Sequence, residues 1–303
     1  MKTNLVTKSN ALIEASYRLS LTEIQVILYG VALLNPTEKV IPSEYRIDIG
    51  RFADQFDRRH GEIYESIKES IKKRFWERDF SYTNEDGRTV TCRWLTRITH
   101  EDKSGYIKIK FSEDVQPYLH MLKNNFTSYY IEQVAKFKSV YSIRIYEMGV
   151  MHLNRCHNSK SVFKLNVAEL NKRLELENSY TRFSNFKARV IDAARKEINK
   201  HSDITLNYEV LKLGRTPHEI KFTVTRKKAQ EQQLSFDGST ETQKKIGQKT
   251  LEKAKDMTLK AQTGWDFYVI EQQFYDIIKT KGAPDNLDGA FIGFVKKKIA
   301  KSP

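Results

Sequence analysis

The stretch Phe163–Arg226, FKLNVAELNKRLELENSYTRFSNFKARVIDAARKEINKHSDITLNYEVLKLGRTPHEIKFTVTR, carries the pattern that decides the fold. Asn166 is suited to cap a helix, with Glu169 three residues later, and apolar residues then recur at helical spacing. A longer helical pattern covers residues 180–200, and two strand-like segments lie on either side of a turn at Gly214. The order helix, turn, helix, hairpin predicts a winged helix-turn-helix.

The longer helix has two chemically different faces. At about 100° per residue, its apolar face gathers Phe183, Phe186, Val190, Ala194 and Ile198. Its opposite face gathers Arg182, Asn185, Arg189, Lys196 and Lys200. Guanidinium groups and an amide on one face are what a recognition helix needs in a major groove. The alternative is a solvated basic face on an ordinary amphipathic helix.

The hairpin after this helix favours the first interpretation. Basic residues surround its turn, namely Lys212, Arg215, His218 and Lys221. A wing that carries such residues can reach the sugar-phosphate backbone of DNA.

Composition is in keeping with a polyanionic partner. The chain has 303 residues, enough for about two domains, and a net charge of +14. A basic ribosomal or membrane-surface protein would share this charge. Met1–Asn10 lacks a signal-peptide core and no apolar run approaches a membrane span, so we expect a cytoplasmic protein. Cys92 and Cys156, far apart in the chain, are expected to be unpaired structural thiols.

The first part of the chain repeats the same architecture. Ser20 is expected to cap a helix that continues to Leu34, and a second helix-turn-helix covers residues 50–78, followed by antiparallel strands up to residue 111. The helix at residues 62–78 mixes acidic residues with Lys72 and Lys73. Opposite charges three or four residues apart favour ion pairs within the helix. We therefore expect this helix to contact phosphates or protein rather than to recognise bases.

Between the two units, residues 128–153 show helical spacing and predict one long helix. It is rich in aromatic residues, which favours core and interdomain packing over stacking on exposed bases.

Three segments resemble the initiator replication proteins of iteron-containing bacterial plasmids. They are Asn10–Glu23, Phe137–Glu147 and Tyr180–Asn199, the last followed by Asp203-Ile204 and by Lys212-Leu-Gly-Arg215. The similarity covers roughly residues 5–226 in the expected order and spacing.

The resemblance implies an α+β fold with two tandem winged-helix domains related by pseudo-symmetry, followed by a small C-terminal helical tail. The expected domains are 1–125 for dimerisation and DNA-backbone contacts, 126–228 for sequence-specific recognition, and 229–303 for the linker and tail. Base or near-base contacts then fall to Arg182, Asn185, Lys187 and Arg189, with Arg215 on phosphate. Lys187 lies near the apolar side and is also suited to the DNA backbone.

The resemblance also implies a function. A monomer would bind directly repeated origin DNA and help to open it, and a dimer would repress the protein's own gene. The expected partners are a second copy of the chain, the host initiator, the replicative helicase and chaperones. The peptide Gln233, Leu234, Phe236 also resembles a sliding-clamp-binding motif, although an ordinary linker explains it as well.

Beyond that peptide, three amphipathic segments near residues 251–261, 265–280 and 291–299 predict a helical module. The module is expected either to contact host proteins or to pack on the second winged helix.

Two rival functions remain open. A rolling-circle nuclease needs a His-x-His metal pair and a nucleophilic tyrosine, and none of the seven histidines has that spacing. His152, Cys156 and His157 resemble part of a metal site without a second pair nearby. We therefore expect no catalytic residue, metal or cofactor. A winged-helix transcription repressor without initiator activity is the closer rival.

Overall fold

The computed structural model describes residues 5–34, 42, 44–84, 86–100, 104–120, 122, 125–156, 159–227, 246–261, 265 and 267–300. Within these ranges, no helix combines the length and the apolar character needed to span a bilayer.

The first unit alternates short helices with antiparallel strands. In chain order it contains β1 (Leu5–Ser9), α1 (Asn10–Glu14), α2 (Leu21–Leu33), β2 (Tyr45–Asp48), α3 (Ile49–Gln55), α4 (His60–Lys72), β3 (Asp79–Thr83), β4 (Thr89–Arg93), β5 (Leu95–His100), β6 (Tyr106–Phe111) and β7 (Phe126–Tyr130). One sheet has the order β2-β6-β5, while β3 pairs with β4 and β1 pairs with β7.

Local backbone features set the start of α2 and the end of α4. Ser20 and Glu23 form a reciprocal capping box at the start of α2, which confirms the cap predicted at Ser20. Helix α4 ends earlier than the predicted residue 78, because Arg74 adopts the left-handed backbone conformation with φ of 61°. A helix cannot continue through that conformation.

The long helix predicted over residues 128–153 is wrong in its first half. Residues 126–130 form strand β7, a short helix α5 (Glu132–Ala135) follows, and the long helix α6 covers only Val140–Cys156. Antiparallel pairing with β1, with Val6 opposite Tyr129, overrides the helical spacing of this segment. The aromatic side chains of Tyr129, Phe137 and Tyr146 are buried, as core packing requires.

The second unit has the predicted order of helices and hairpin. Its elements are β8 (Lys160–Asn166), α7 (Val167–Arg173), α8 (Phe183–Phe186), a π-helical turn (Lys187–Asp192), α9 (Ala193–His201), β9 (Ile204–Leu213) and β10 (Thr216–Arg226). The sheet has the order β8-β10-β9. The predicted pair of winged-helix domains is thereby confirmed.

The cap of α7 differs in detail from the prediction. Asn166 Oδ1 accepts a hydrogen bond from Ala168 N at 2.8 Å, so Asn166 is the N-cap as predicted. Glu169 instead accepts a hydrogen bond from Arg173 at 2.5 Å, one helical turn later.

Buried ionic groups join the two units through α6. Lys8 Nζ lies 2.5 Å from Glu147 Oε1, and both side chains are almost fully buried. The Arg144 guanidinium stacks on the Tyr17 ring and donates to the backbone carbonyl oxygens of Ala15, at 2.6 Å, and of Arg173, at 3.1 Å. Because Ala15 and Arg173 belong to different units, Arg144 holds the units together.

The tail forms three helices, α10 (Gln248–Ala261), α11 (Phe267–Lys281) and α12 (Leu287–Ala300). Their apolar side chains form a second core that also includes Leu5 and Phe126, with the Trp265 ring 6.0 Å from that of Phe126. The tail therefore packs on the first unit, and the predicted packing on the second winged helix is wrong. The β1-β7 ladder has one face toward this second core and the other toward Glu147.

The predicted boundary after residue 125 falls directly before β7, whose partner strand is β1. The division into domains 1–125, 126–228 and 229–303 stays a prediction.

Candidate nucleic-acid interface

The recognition helix is built on the apolar face that the sequence predicts. Phe186, Val190, Ala194 and Ile198 are buried in the main core, with at most 1% of each exposed. Phe183 is partly buried beside them. This packing leaves the opposite side of α8 and α9 to solvent.

The predicted contacts on that opposite side are exposed. All five residues predicted for that face are solvent-accessible, namely Arg182, Asn185, Arg189, Lys196 and Lys200. Arg182 is the N-cap residue, with extended backbone, so it lies at the helix end that carries a positive partial charge. Both its side chain and the helix end favour an anionic ligand.

A π-helical turn interrupts this helix at Lys187–Asp192. Hydrogen bonds in a π turn join residues five apart, so the turn holds one residue more than an α-helical turn. Angular positions at 100° per residue therefore do not carry through from Arg189 to Lys196. Helical spacing alone therefore does not place the N-terminal contacts and the C-terminal lysines on one continuous arc.

Lys187 differs from the other predicted contacts because it forms an ion pair within its own helix. Its Nζ donates to Asp192 Oδ2 at 2.9 Å, and Tyr208 OH donates to Asp192 Oδ1 at 2.5 Å. Hydrogen bonding to Asp192 raises the pKa of Lys187, and the Tyr208 hydroxyl lowers the pKa of Asp192. The cluster ties the recognition helix to strand β9, and the structure does not bring Lys187 into the exposed row of cations.

Asp192 and Tyr208 were missed by sequence reasoning. The sequence did contain one signal, since Asp192 is the only acidic residue between Arg182 and Arg195. The ring of Tyr208 also lies 5.6 Å from the Arg195 guanidinium, so the cluster orders a further cation of helix α9.

The wing is the hairpin of β9 and β10. Lys212 and Arg215 are exposed at its tip, on either side of Leu213 and Gly214. Gly214 has a φ of +62°, which glycine adopts without the strain that a side chain would cause. The wing therefore presents two cations at a fixed turn.

The first unit offers a weaker cationic surface. Lys72 and Lys73 are exposed at the end of α4, but Lys72 Nζ lies 3.1 Å from Glu69 Oε1. Arg58 pairs in the same way with Glu62 at 2.6 Å. These two pairs offset part of the positive charge at α4, so its attraction for phosphate is reduced.

The other candidate sites from the sequence were a clamp-binding peptide and a partial metal cluster. Gln233, Leu234 and Phe236 lie outside the described residues. Among the residues that are described, no group of three or more His, Cys, Asp or Glu side chains is arranged to hold a metal ion. His152 stacks on the Phe163 ring at 3.8 Å, with its pKa lowered by burial to about 4.

Two winged helices in one chain, the second with an exposed cationic helix and wing, define a tandem winged-helix DNA-binding protein. The family model described as initiator replication protein, WH1, matches residues 5–150, and the model described as initiator Rep protein, WH2, matches residues 166–224. The chain belongs to this family of plasmid replication initiators.

Individual relatives agree with this assignment. A replication initiation protein of Escherichia coli is 27% identical over 235 residues, which cover 73% of this chain and 69% of that protein. The PI protein of Escherichia coli is 28% identical over 134 residues, 40% of this chain and 42% of that protein. The crystal structure of the Pi initiator protein in complex with iteron DNA shares the fold, with a TM-score of 0.63, 22% identity, and coverage of 75% of this chain and 99% of that one.

Proposed function

We propose that this protein initiates plasmid replication by binding directly repeated origin sequences, the iterons, as a monomer. It then helps to open the origin and recruits the host initiator and replicative helicase, with chaperones and the sliding clamp as further partners. As a dimer it represses its own gene. The observation that carries the proposal is the presence of two different winged helices in one chain, the second with exposed cations on both its helix and its wing.

The second winged helix is the proposed reader of the repeat. Arg189 and Asn185 are exposed on the N-terminal half of the recognition helix, where side chains reach base edges. A guanidinium fork can bond guanine O6 and N7, and an amide can bond adenine N6 and N7. Lys212 and Arg215 on the wing supply phosphate contacts that hold the register.

Two unequal winged helices also suit direct repeats. A dimer with twofold symmetry matches an inverted repeat, because each half-site meets an identical domain. A single chain with two different domains matches an asymmetric site and can occupy each repeat separately. The buried Arg144 contacts support this mode, since they hold the two domains in one arrangement.

The proposed activity is binding and not catalysis. The protein acts by binding and deforming origin DNA and by recruiting host replication proteins to it. This activity needs neither a metal nor a cofactor. We place it in the cytoplasm, where its DNA and host partners are and where the free thiols of Cys92 and Cys156 suit the reducing conditions.

A winged-helix repressor is the second candidate, because repression alone requires the same DNA-binding surfaces. The second DNA-binding unit in each chain favours the initiator, since a repressor dimer already has two recognition helices.

Footprinting separates the two candidates. The purified protein is bound to the DNA around its own gene at near-physiological salt, and the masses of the complexes are measured in parallel. Protection of a regular array by monomers supports an iteron initiator. Protection of one inverted repeat by dimers, without an array, favours the repressor.

A charge reversal tests the site within the same experiment. Arg189→Glu should abolish specific protection, because a carboxylate cannot donate to guanine and repels phosphate. Lys253→Glu, at an exposed position of α10, makes the same change in charge elsewhere and should leave the footprint intact. Normal binding by Arg189→Glu would remove the recognition-helix assignment.

A further inference from the structure

Leu213 is an apolar side chain where the protein is otherwise cationic. It is 71% exposed, more than Val162 at 52% and Ile277 at 39%, the other exposed large hydrophobic side chains in the described part of the chain. Leu213 lies directly before the turn of the wing, a position where polar residues are usual.

The wing tip projects beyond its sheet. Strand β8 pairs with β10 only from Glu219 to Thr225, so residues 212–218 extend past the third strand as a two-stranded ribbon. A register shift between Pro217 and Glu219 bulges the ribbon at its base, which bends it relative to the sheet. The tip can therefore enter a groove that the sheet itself cannot reach.

The tip carries two exposed cations. Lys212 precedes Leu213, Arg215 follows Gly214, and both cations are exposed. The acidic residues nearer the sheet are paired, since Glu209 lies 3.4 Å from Lys221 and Glu219 lies 3.7 Å from Lys164. An apolar side chain between two cations favours a narrow, anionic cleft as its ligand.

The minor groove of DNA has this character. It is about 6 Å wide and lies between two rows of phosphates. Minor-groove proteins insert Leu and similar side chains between base steps, partly unstacking and kinking the duplex. We propose that Leu213 enters the minor groove beside the recognition helix and partly unstacks one base step, with Lys212 and Arg215 on the flanking phosphates. This inference rests on the proposed function.

The test uses the full chain and a duplex that contains one repeat found by the footprint. The bend is measured by energy transfer between dyes at the duplex ends. Unstacking is measured by 2-aminopurine placed at successive positions where the wing is expected. For the wild-type protein we expect a bend together with increased fluorescence at one step.

Leu213→Ser should lose both signals and bind about tenfold more weakly, since burial of a leucine is removed and the cost of unstacking is avoided. Its salt dependence should not change, because no charge is removed. Leu213→Met should restore the bend, and Val162→Ser, an exposed apolar side chain on the body of the sheet, should behave like the wild type.

Two results would overturn the inference while leaving the proposed function intact. One is a wild-type bend and fluorescence signal in Leu213→Ser, whatever its affinity. The other is repeat binding by the wild type with no unstacked step. Failure of the wild-type protein to bind any repeat would remove the proposed function as well, so the two failures are distinguishable.

Discussion

The salt dependence of DNA binding should distinguish exposed cations from the internally paired Lys187. Lys212 is exposed on the wing, whereas Lys187 Nζ is bonded to Asp192 at 2.9 Å. The informative variants are Lys212→Met, which removes an exposed charge, and the double variant Lys187→Met with Asp192→Asn, which removes an ion pair without changing net charge.

The magnitude follows from the exposed cations of the second winged helix. We count the six exposed cations predicted to contact DNA, namely Arg182, Arg189, Lys196, Lys200, Lys212 and Arg215. If all six lie against phosphates, the slope of log K against log salt is about −5.4, and affinity falls about 2,000-fold between 50 and 200 mM salt. Lys212→Met should reduce the slope to about −4.5 and the loss to about 500-fold.

The double variant should keep the wild-type slope, because a cation that is already neutralised releases no counterion from the DNA. The assay is fluorescence anisotropy of a labelled one-repeat duplex over a salt series, with circular dichroism as a check on folding. A double variant whose slope falls by about 0.9, as for Lys212→Met, would show that Lys187 contacts phosphate and would refute this reasoning.

Three further predictions concern stability. Lys8→Met should lower the free energy of unfolding, measured by urea denaturation, by about 3–5 kcal/mol, because Glu147 keeps a buried charge without its cation. The double variant Lys8→Met with Glu147→Gln should recover much of this loss. Equal losses in the single and double variants would contradict a penalty for the buried charge. Folding lowers the pKa of His152 from 6.5 to about 4, mainly through burial, so its contribution to stability is present above pH 6.5 and is lost as the pH falls toward 4. His152→Phe should therefore flatten the fall of the thermal midpoint between pH 6.5 and 4. Parallel curves of thermal midpoint against pH for the variant and the wild type would exclude His152 as the cause of that fall. Trp265→Ala should weaken the packing of the tail on the first unit by about 3 kcal/mol and increase amide hydrogen exchange in β1 and β7. The β8-β10-β9 sheet serves as the internal reference. Unchanged exchange in β1 and β7 would mean that the tail does not protect these strands.

Much of the candidate site is predictable because its determinants are local. Asn166 caps its helix within two residues, and the spacing of Phe186, Val190 and Ile198 places Arg189 on the opposite face. Gly214 specifies the turn of the wing through its own backbone preference. The winged-helix order and the exposure of Arg189 follow from such short-range rules.

Lys187 shows where short-range rules end. A helical wheel places it near the apolar side of the helix, and the structure pairs it with Asp192, which is held by Tyr208 from strand β9. The π-helical turn between Lys187 and Asp192 changes the phase of the helix, which a wheel drawn at about 100° per residue does not include. Side-chain partners from another element thus decided what this lysine can contact.

The sequence by itself determined the two winged helices, their order and the exposed cations of the second, because capping, periodicity and turn preference act within a few residues. Only the tertiary structure decided that residues 126–130 form a strand, since its partner β1 lies more than a hundred residues earlier in the chain. The same holds for the tail, whose apolar faces predict burial but not the surface that buries them. Leu5 and Phe126 supply that surface, and only folding brings them together with Trp265.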